Sequence, residues 1–173
     1  MLVEAEVKVR ILEEDPILTR LSKLQEKGTY EEEDTYFDDP LGILRKMGGT
    51  LKLRRRGNEY SIIFKGGDKG GEYKIKEEVE VRISDVNAME RILIKLGFKP
   101  RLKIHKVRTE YLLPKGKVFM DRIRGLGTFV EVEALGRSRE EAECRLKELV
   151  KELKLNHKNL IKESYPRMLL GGK

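Results

Sequence analysis

Residues 3–9, VEAEVKV, alternate strictly. Val3, Ala5, Val7 and Val9 fall on one side, Glu4, Glu6 and Lys8 on the other, which is the two-residue period of a β-strand. The period recurs down the chain. Lys52, Arg54 and Arg56 share a face opposite Leu51, Leu53 and Arg55. Lys65 shares one with Ser61 and Ile63, opposite Ile62 and Phe64. Lys74, Lys76, Glu78 and Glu80 oppose Ile75, Val79 and Val81. Lys106, Arg108 and Glu110 line up, as do Glu131 and Glu133 opposite Val130 and Val132. Nearly every strand therefore has one charged face carrying both signs.

Between these segments the period lengthens. Pro16 opens a helix whose Ile17, Leu18, Leu21 and Leu24 keep helical spacing up to Gly28. Residues 29–40 read as a strand ending at Pro40, and 41–49 as a loop or short helical turn. Residues 50–66 form a hairpin with Gly57-Asn58 at its tip. A glycine-rich connection, 66–73, leads into a strand at 73–83. Asp85 caps a helix carrying Val86, Met89, Ile92, Leu93 and Leu96, ended by Gly97. Strands follow at 103–113, 117–123 and 128–135. Ser138 caps a helix with Ala142, Leu146, Leu149, Val150 and Leu153, and 163–170 reads as a last short helix. No repeat or linker divides the chain, so residues 1–173 are expected to form one α+β domain.

Two architectures fit one-sided charge. An open antiparallel sheet would pack its apolar face on helices and wet the other. A barrel would close around the charged face and put helices outside. Pattern alone favours the open sheet, because a buried charged lumen is costly without a charged ligand.

Composition adds limits. A chain of 173 residues with 39% hydrophobic content can bury a core. There is no run long enough to span a bilayer and no signal-peptide h-region, so a cytoplasmic protein without membrane partners is the default. Cys144 stands alone, which excludes an internal disulfide. A charged fraction of 39% without tryptophan resembles a thermophile's surface. The net charge of +7 suits a polyanionic partner without choosing one.

The order of segments narrows that choice. The chain runs EAEVK, DTYFD, LKLR, FKG, EEVEV, KVRTEY and MDRIRGLGTFVEVE. From Glu4 to Glu133 this resembles the CYTH family of triphosphate tunnel metalloenzymes, and within it the class IV adenylyl cyclases. The resemblance implies a closed antiparallel eight-stranded β-barrel with a polar lumen and helices outside. It implies metal binding, Mg²⁺ or Mn²⁺, at Glu4, Glu6, Asp121, Glu131 and Glu133, since hard cations take carboxylate oxygens. It also implies a triphosphate cradle of Lys8, Lys52, Arg54, Lys65, Lys106 and Arg108, with Arg56 and Lys76 on the same faces. Glu4, Glu6 and Lys8 are then the catalytic candidates. The implied substrate is a nucleoside triphosphate or tripolyphosphate, turned into cyclic AMP and pyrophosphate by a cyclase or hydrolysed by a triphosphatase.

Other residues weigh less. Glu78 and Glu80 suit salt bridges as well as metal. Arg55 and Lys74 read as exposed. Arg122 alternates away from Asp121, His105 away from Lys106 and Arg108. His157 lies in a polar loop, and Cys144, Tyr36 and Tyr165 read as packing. The glycine-rich connection could form a phosphate nest but reads as a hairpin link. Removing a lumen cation should relieve like-charge crowding. A basic nucleic-acid-binding β domain stays as the reading from another class, though glutamates interrupt its basic faces and it lacks an aromatic stacking platform. A homodimer is compatible with the sequence, which does not specify oligomeric state.

Overall fold

The computed structural model describes residues 3–68, 70–71 and 73–171. Its strands are β1 (Val3–Ile11), β2 (Gln25–Asp38), β3 (Thr50–Arg56), β4 (Glu59–Lys65), β5 (Lys74–Ile83), β6 (Lys99–Leu113), β7 (Gly116–Ile123) and β8 (Gly127–Gly136). The helices are α1 (Pro16–Leu21), α2 (Ile43–Lys46), α3 (Val86–Lys95), α4 (Arg139–Glu152) and α5 (Tyr165–Leu169), with a 3₁₀ turn at His157–Asn159.

The strands close into an antiparallel barrel in the order β1-β5-β4-β3-β2-β6-β7-β8. The closed barrel, not the open sheet favoured by pattern, is the architecture. Closure joins the first strand to the last: β1 pairs with β8 along its whole length, from Val3↔Gly136 to Ile11↔Thr128. On its other side β1 meets β5 only over Val3–Glu6. Further along β1, Lys8 exchanges two backbone hydrogen bonds with Ile161 of the C-terminal segment.

The apolar faces turn outward. Val3, Ala5, Val7, Val9, Val130, Val132 and Ala134 pack under α1 and α4, where Ala142, Leu146, Leu149 and Val150 are fully buried. A second cluster sets Phe37 and Leu53 under Val86 and Leu93 of α3. Asp85 caps α3 by accepting from the Asn87 and Ala88 amides, and Ser138 caps α4 by accepting from Glu141. Gly97 ends α3 with φ +90°, a backbone that a side chain would strain.

The first helix departs from its expected length. It stops at Leu21, and Gln25 already belongs to β2, whose ladder with β6 runs from Gln25↔Leu112 to Asp38↔Lys99. Leu24 still packs on the core, from the turn instead of from a helix. Strand pairing overrides the local helical period here.

Candidate active site

Charged strand faces line one lumen. Its walls carry Glu4, Glu6 and Lys8 from β1, Asp34 from β2, and Lys52, Arg54 and Arg56 from β3. Lys65 comes from β4, Lys74, Lys76 and Glu78 from β5, Lys106 and Arg108 from β6, and Glu131 and Glu133 from β8. The cavity holds about 520 Å³. Alternation places these groups inside because every second residue of a strand faces the same way.

The adjoining strands β1 and β8 carry a carboxylate cluster. Glu4, Glu6 and Glu133 each offer an oxygen, and the three lie within 4.8 Å of one another. Lys65 reaches this cluster at 2.6 Å from Glu4 and 3.5 Å from Glu6, and meets Glu78 at 2.6 Å. Lys74 pairs with Glu6. Burial pushes Glu4 up to about 7 against the pull of Lys65, with Glu6 and Glu78 adding repulsion. Burial and the nearby Glu4 and Glu131 hold Glu133 well above the ordinary range. Glu4 and Glu133, raised by burial and by neighbouring carboxylates, and Glu6, held ionised by Lys74, Lys65 and Lys8, together form an all-oxygen set. That set fits a hard divalent cation.

Around it, most cations are clasped by carboxylates, while Lys76 donates to the Gly48 carbonyl. Asp34 takes a fork from Arg54, at 2.8 Å to Nε and 2.9 Å to Nη2, and a third bond from Lys52 at 2.8 Å. Glu32 meets Lys106 at 2.7 Å, Arg54 at 3.4 Å, and Arg56. Arg108 forks onto Asp121, with both bonds at 2.6 Å, and donates to Glu131 at 2.8 Å. Lys8 lies 3.3 Å from Glu131 and 3.6 Å from Glu6. Burial opposes ionisation of Asp34, yet Arg54 and Lys52 outweigh it and hold the carboxyl well below the usual range. Crowding of like charges persists beside these pairs: after burial, Arg54 is the largest influence lowering Lys52, and Lys74 the largest lowering Lys76.

The C-terminal segment reaches the lumen at Ser164, Tyr165 and Pro166. The Tyr165 hydroxyl donates to Asp121 at 3.0 Å, its ring lies edge-on to Phe129 at 5.3 Å, and Lys8 sits 5.0 Å from its centroid. Rings elsewhere also carry cations: Lys52 over Tyr36, Arg56 over Tyr30 and Arg108 over Phe119.

The structure brings Glu4, Glu6 and Glu133 together and leaves Asp121 and Glu131 outside that trio, spent on Arg108 and Lys8. Lys8, Lys52, Arg54, Arg56, Lys65, Lys76, Lys106 and Arg108 all face the cavity. Lys74, expected to be exposed, is instead buried against Glu6, because β5 crosses β1 there with Lys74 opposite Glu6. Arg55 is exposed and lies over Tyr60, and His105 pairs with Glu33 at the surface. The glycine-rich connection is folded by Asp68, which accepts from the Gly70 and Ile75 amides; Lys69 and Glu72 lie outside the described residues. Sequence reasoning missed Glu32 and Asp34, hidden in EEED where both faces are charged, and Tyr30, whose hydroxyl donates to buried Glu110 at 3.1 Å.

Known proteins resemble this chain in sequence and in fold. A curated relative, "Putative adenylate cyclase MJ0240" of Methanocaldococcus jannaschii, is 31% identical over 95% of this chain and 97% of its own length. "Adenylate cyclase CyaB" of Aeromonas hydrophila is 30% identical over 75% of this chain and 67% of its own. The solved structure of the PH1819 protein from Pyrococcus horikoshii superposes with a TM-score of 0.89 at 29% identity, covering 98% of this chain and 99% of that one. The CYTH domain model matches residues 2–165, and with the closed barrel and its charged lumen this establishes that the chain belongs to the CYTH domain family.

Proposed function

We propose that the lumen binds a nucleoside triphosphate together with a divalent cation and acts as an adenylyl cyclase, converting ATP to cyclic AMP and pyrophosphate. The observation that carries this reading is one cavity holding a three-carboxylate cluster beside an array of buried cations. Glu4, Glu6 and Glu133 would hold Mg²⁺ or Mn²⁺, which when bound neutralises phosphate charge and lowers the cost of an attacking oxyanion.

The chain's own contribution is preorganised charge. Arg54 commits Nε and Nη2 to Asp34, so its Nη1 takes no part in that fork. Arg108 is fixed by Asp121, and Asp121 by Tyr165. Cations held this way need little reorganisation when charge builds on phosphate oxygens. In the cyclase reaction the ribose 3′-oxygen bonds to the α-phosphorus, the bond to the β-phosphate oxygen breaks, and the 3′-proton leaves. The names of the curated relatives support this choice.

Hydrolysis of the terminal phosphate of tripolyphosphate or another triphosphate is the second reading. Its support is the lining, which is mostly charged and whose rings Tyr36, Tyr60, Phe119 and Tyr165 each lie beside a cation. Incubation with ATP and with tripolyphosphate, each with Mg²⁺ or Mn²⁺, separates the two. Cyclic AMP with pyrophosphate supports the first reading and orthophosphate the second. Turnover of neither substrate under any of these conditions would reject both.

A further inference from the structure

β5 serves two neighbours in succession. Lys74–Glu77 pair with β1, and Glu78–Ile83 pair with β4. On the β1 side of Glu78–Ile83, no strand among the described residues is paired. The four residues Val79–Arg82 are all exposed, and Val79 and Val81 stand 46% and 54% exposed on the outer face. Ile62 and Phe64 of β4 lie opposite Val81 and Val79 and extend that apolar strip. On the other face Glu80 and Arg82 line the cavity. A free, apolar edge strand is a template for pairing unless charge or proline blocks it. This one has neither a lysine nor a proline from Val79 to Ile83.

Its charges instead complement themselves. A two-fold antiparallel pairing centred on Val81 sets Val81 against its own copy, Val79 against Ile83, and Glu80 against Arg82, twice. Each other centre within the exposed stretch Val79–Arg82 fails. Centring on Glu80 or Arg82 opposes like charges, and centring on Val79 sets Glu78 against Glu80. A centre between two residues puts valine and charge on one face. We propose that two copies of this chain join through β5 in the Val81-centred register. The sheet then runs from one barrel into the next, and each copy brings its Glu80 and Arg82 to the rim of the other's cavity.

The test is assembly state, which does not depend on what the cavity binds. Analytical ultracentrifugation of the full chain should show a dimer. Glu80→Arg and Arg82→Glu, singly, turn both attractive pairs repulsive and should weaken it about tenfold or more. Val81→Lys, which puts two ammonium groups on the dyad, should do the same. Glu80→Arg combined with Arg82→Glu restores opposite charges and should restore the dimer. Circular dichroism melting checks that each variant is folded. A monomeric parent at its highest soluble concentration overturns the proposal. So does a dimer that ignores the single reversals, or a double variant no tighter than the singles.

Discussion

Glu6 and Glu133 stand directly opposite each other on β1 and β8, yet the lumen drives them to opposite protonation states. Burial raises both. At Glu6 it is outweighed by Lys74, Lys65 and Lys8, which hold the carboxyl well below the usual range. At Glu133 the neighbours Glu4 and Glu131 add to burial and push it well above. One carboxylate is ready for a cation, and the other gives up a proton to receive one.

Metal uptake should therefore release protons. Calorimetric Mn²⁺ titrations in buffers of different ionisation heat should differ systematically, and apparent affinity should rise with pH through about 7, where Glu4 titrates. Glu4→Gln and Glu6→Gln should each weaken Mn²⁺ binding, because the amide keeps the shape and loses the charge. Unchanged affinity in both would remove them as ligands.

Without metal, the same group shapes stability. Glu4 is raised from 4.5 to about 7, so the folded chain holds its proton more tightly than the unfolded one. Its contribution is fully present below about 4.5 and is lost as pH rises through about 7. Metal-free Tm should carry a downward component across that window, and Glu4→Gln should lack it. A Tm profile identical in the two proteins would contradict this assignment.

Asp34 works in the other direction. Arg54 and Lys52 hold it well below its usual value, so its contribution is present above the unfolded pKa, about 4, and is lost as pH falls below. Asp34→Asn leaves buried Lys52 and partly buried Arg54 without their shared carboxylate and should cost about 3–5 kcal/mol in chemical denaturation. A loss below about 1 kcal/mol would mean that the cations find other partners.

Lys8→Met and Arg54→Met should each lower kcat/KM about a hundredfold, on the order of 3 kcal/mol in transition-state stabilisation. Arg54→Met should also lower Tm, since it strips the fork from Asp34. Rates equal to the parent would place both residues outside the reaction.

Lys76 donates to the Gly48 carbonyl at 3.0 Å, and burial followed by Lys74 lowers its pKa to about 8. Its charge is lost as pH rises past that value, so KM for a triphosphate should climb above about pH 8. Lys76→Arg keeps its charge and should flatten that limb. An identical climb in the variant would point to a different group.

Legibility followed the cleanness of alternation. In VEAEVKV and FVEVEA one face is charged and the other apolar, so the charged set could be read directly, though alternation did not say that it lines a lumen. In EEED both faces are charged, and Glu32 and Asp34 separate from Glu31 and Glu33 only when β2 is paired on both sides. Barrel closure was legible only through the family resemblance, because an alternating strand has the same period in an open sheet. Nor could sequence assign partners, since Asp121 meets Arg108 across a ladder whose register is a property of the fold. Tyr165 was the hardest, its contacts arising from a tail that crosses back to β1.

The β1–β8 seam has a consequence for how the molecule comes into being. Of the eight strands β1 leaves the ribosome first, and β8, with which it pairs over its whole length, leaves last. Until then an alternating strand with an apolar face waits without its mate, and Glu4 and Glu6 wait without Glu133. Contacts of such sequence separation slow the folding of β-rich chains. The carboxylate cluster accordingly exists only once β1 and β8 have paired, and a nascent chain halted before Gly127 has the first two carboxylates but lacks the third.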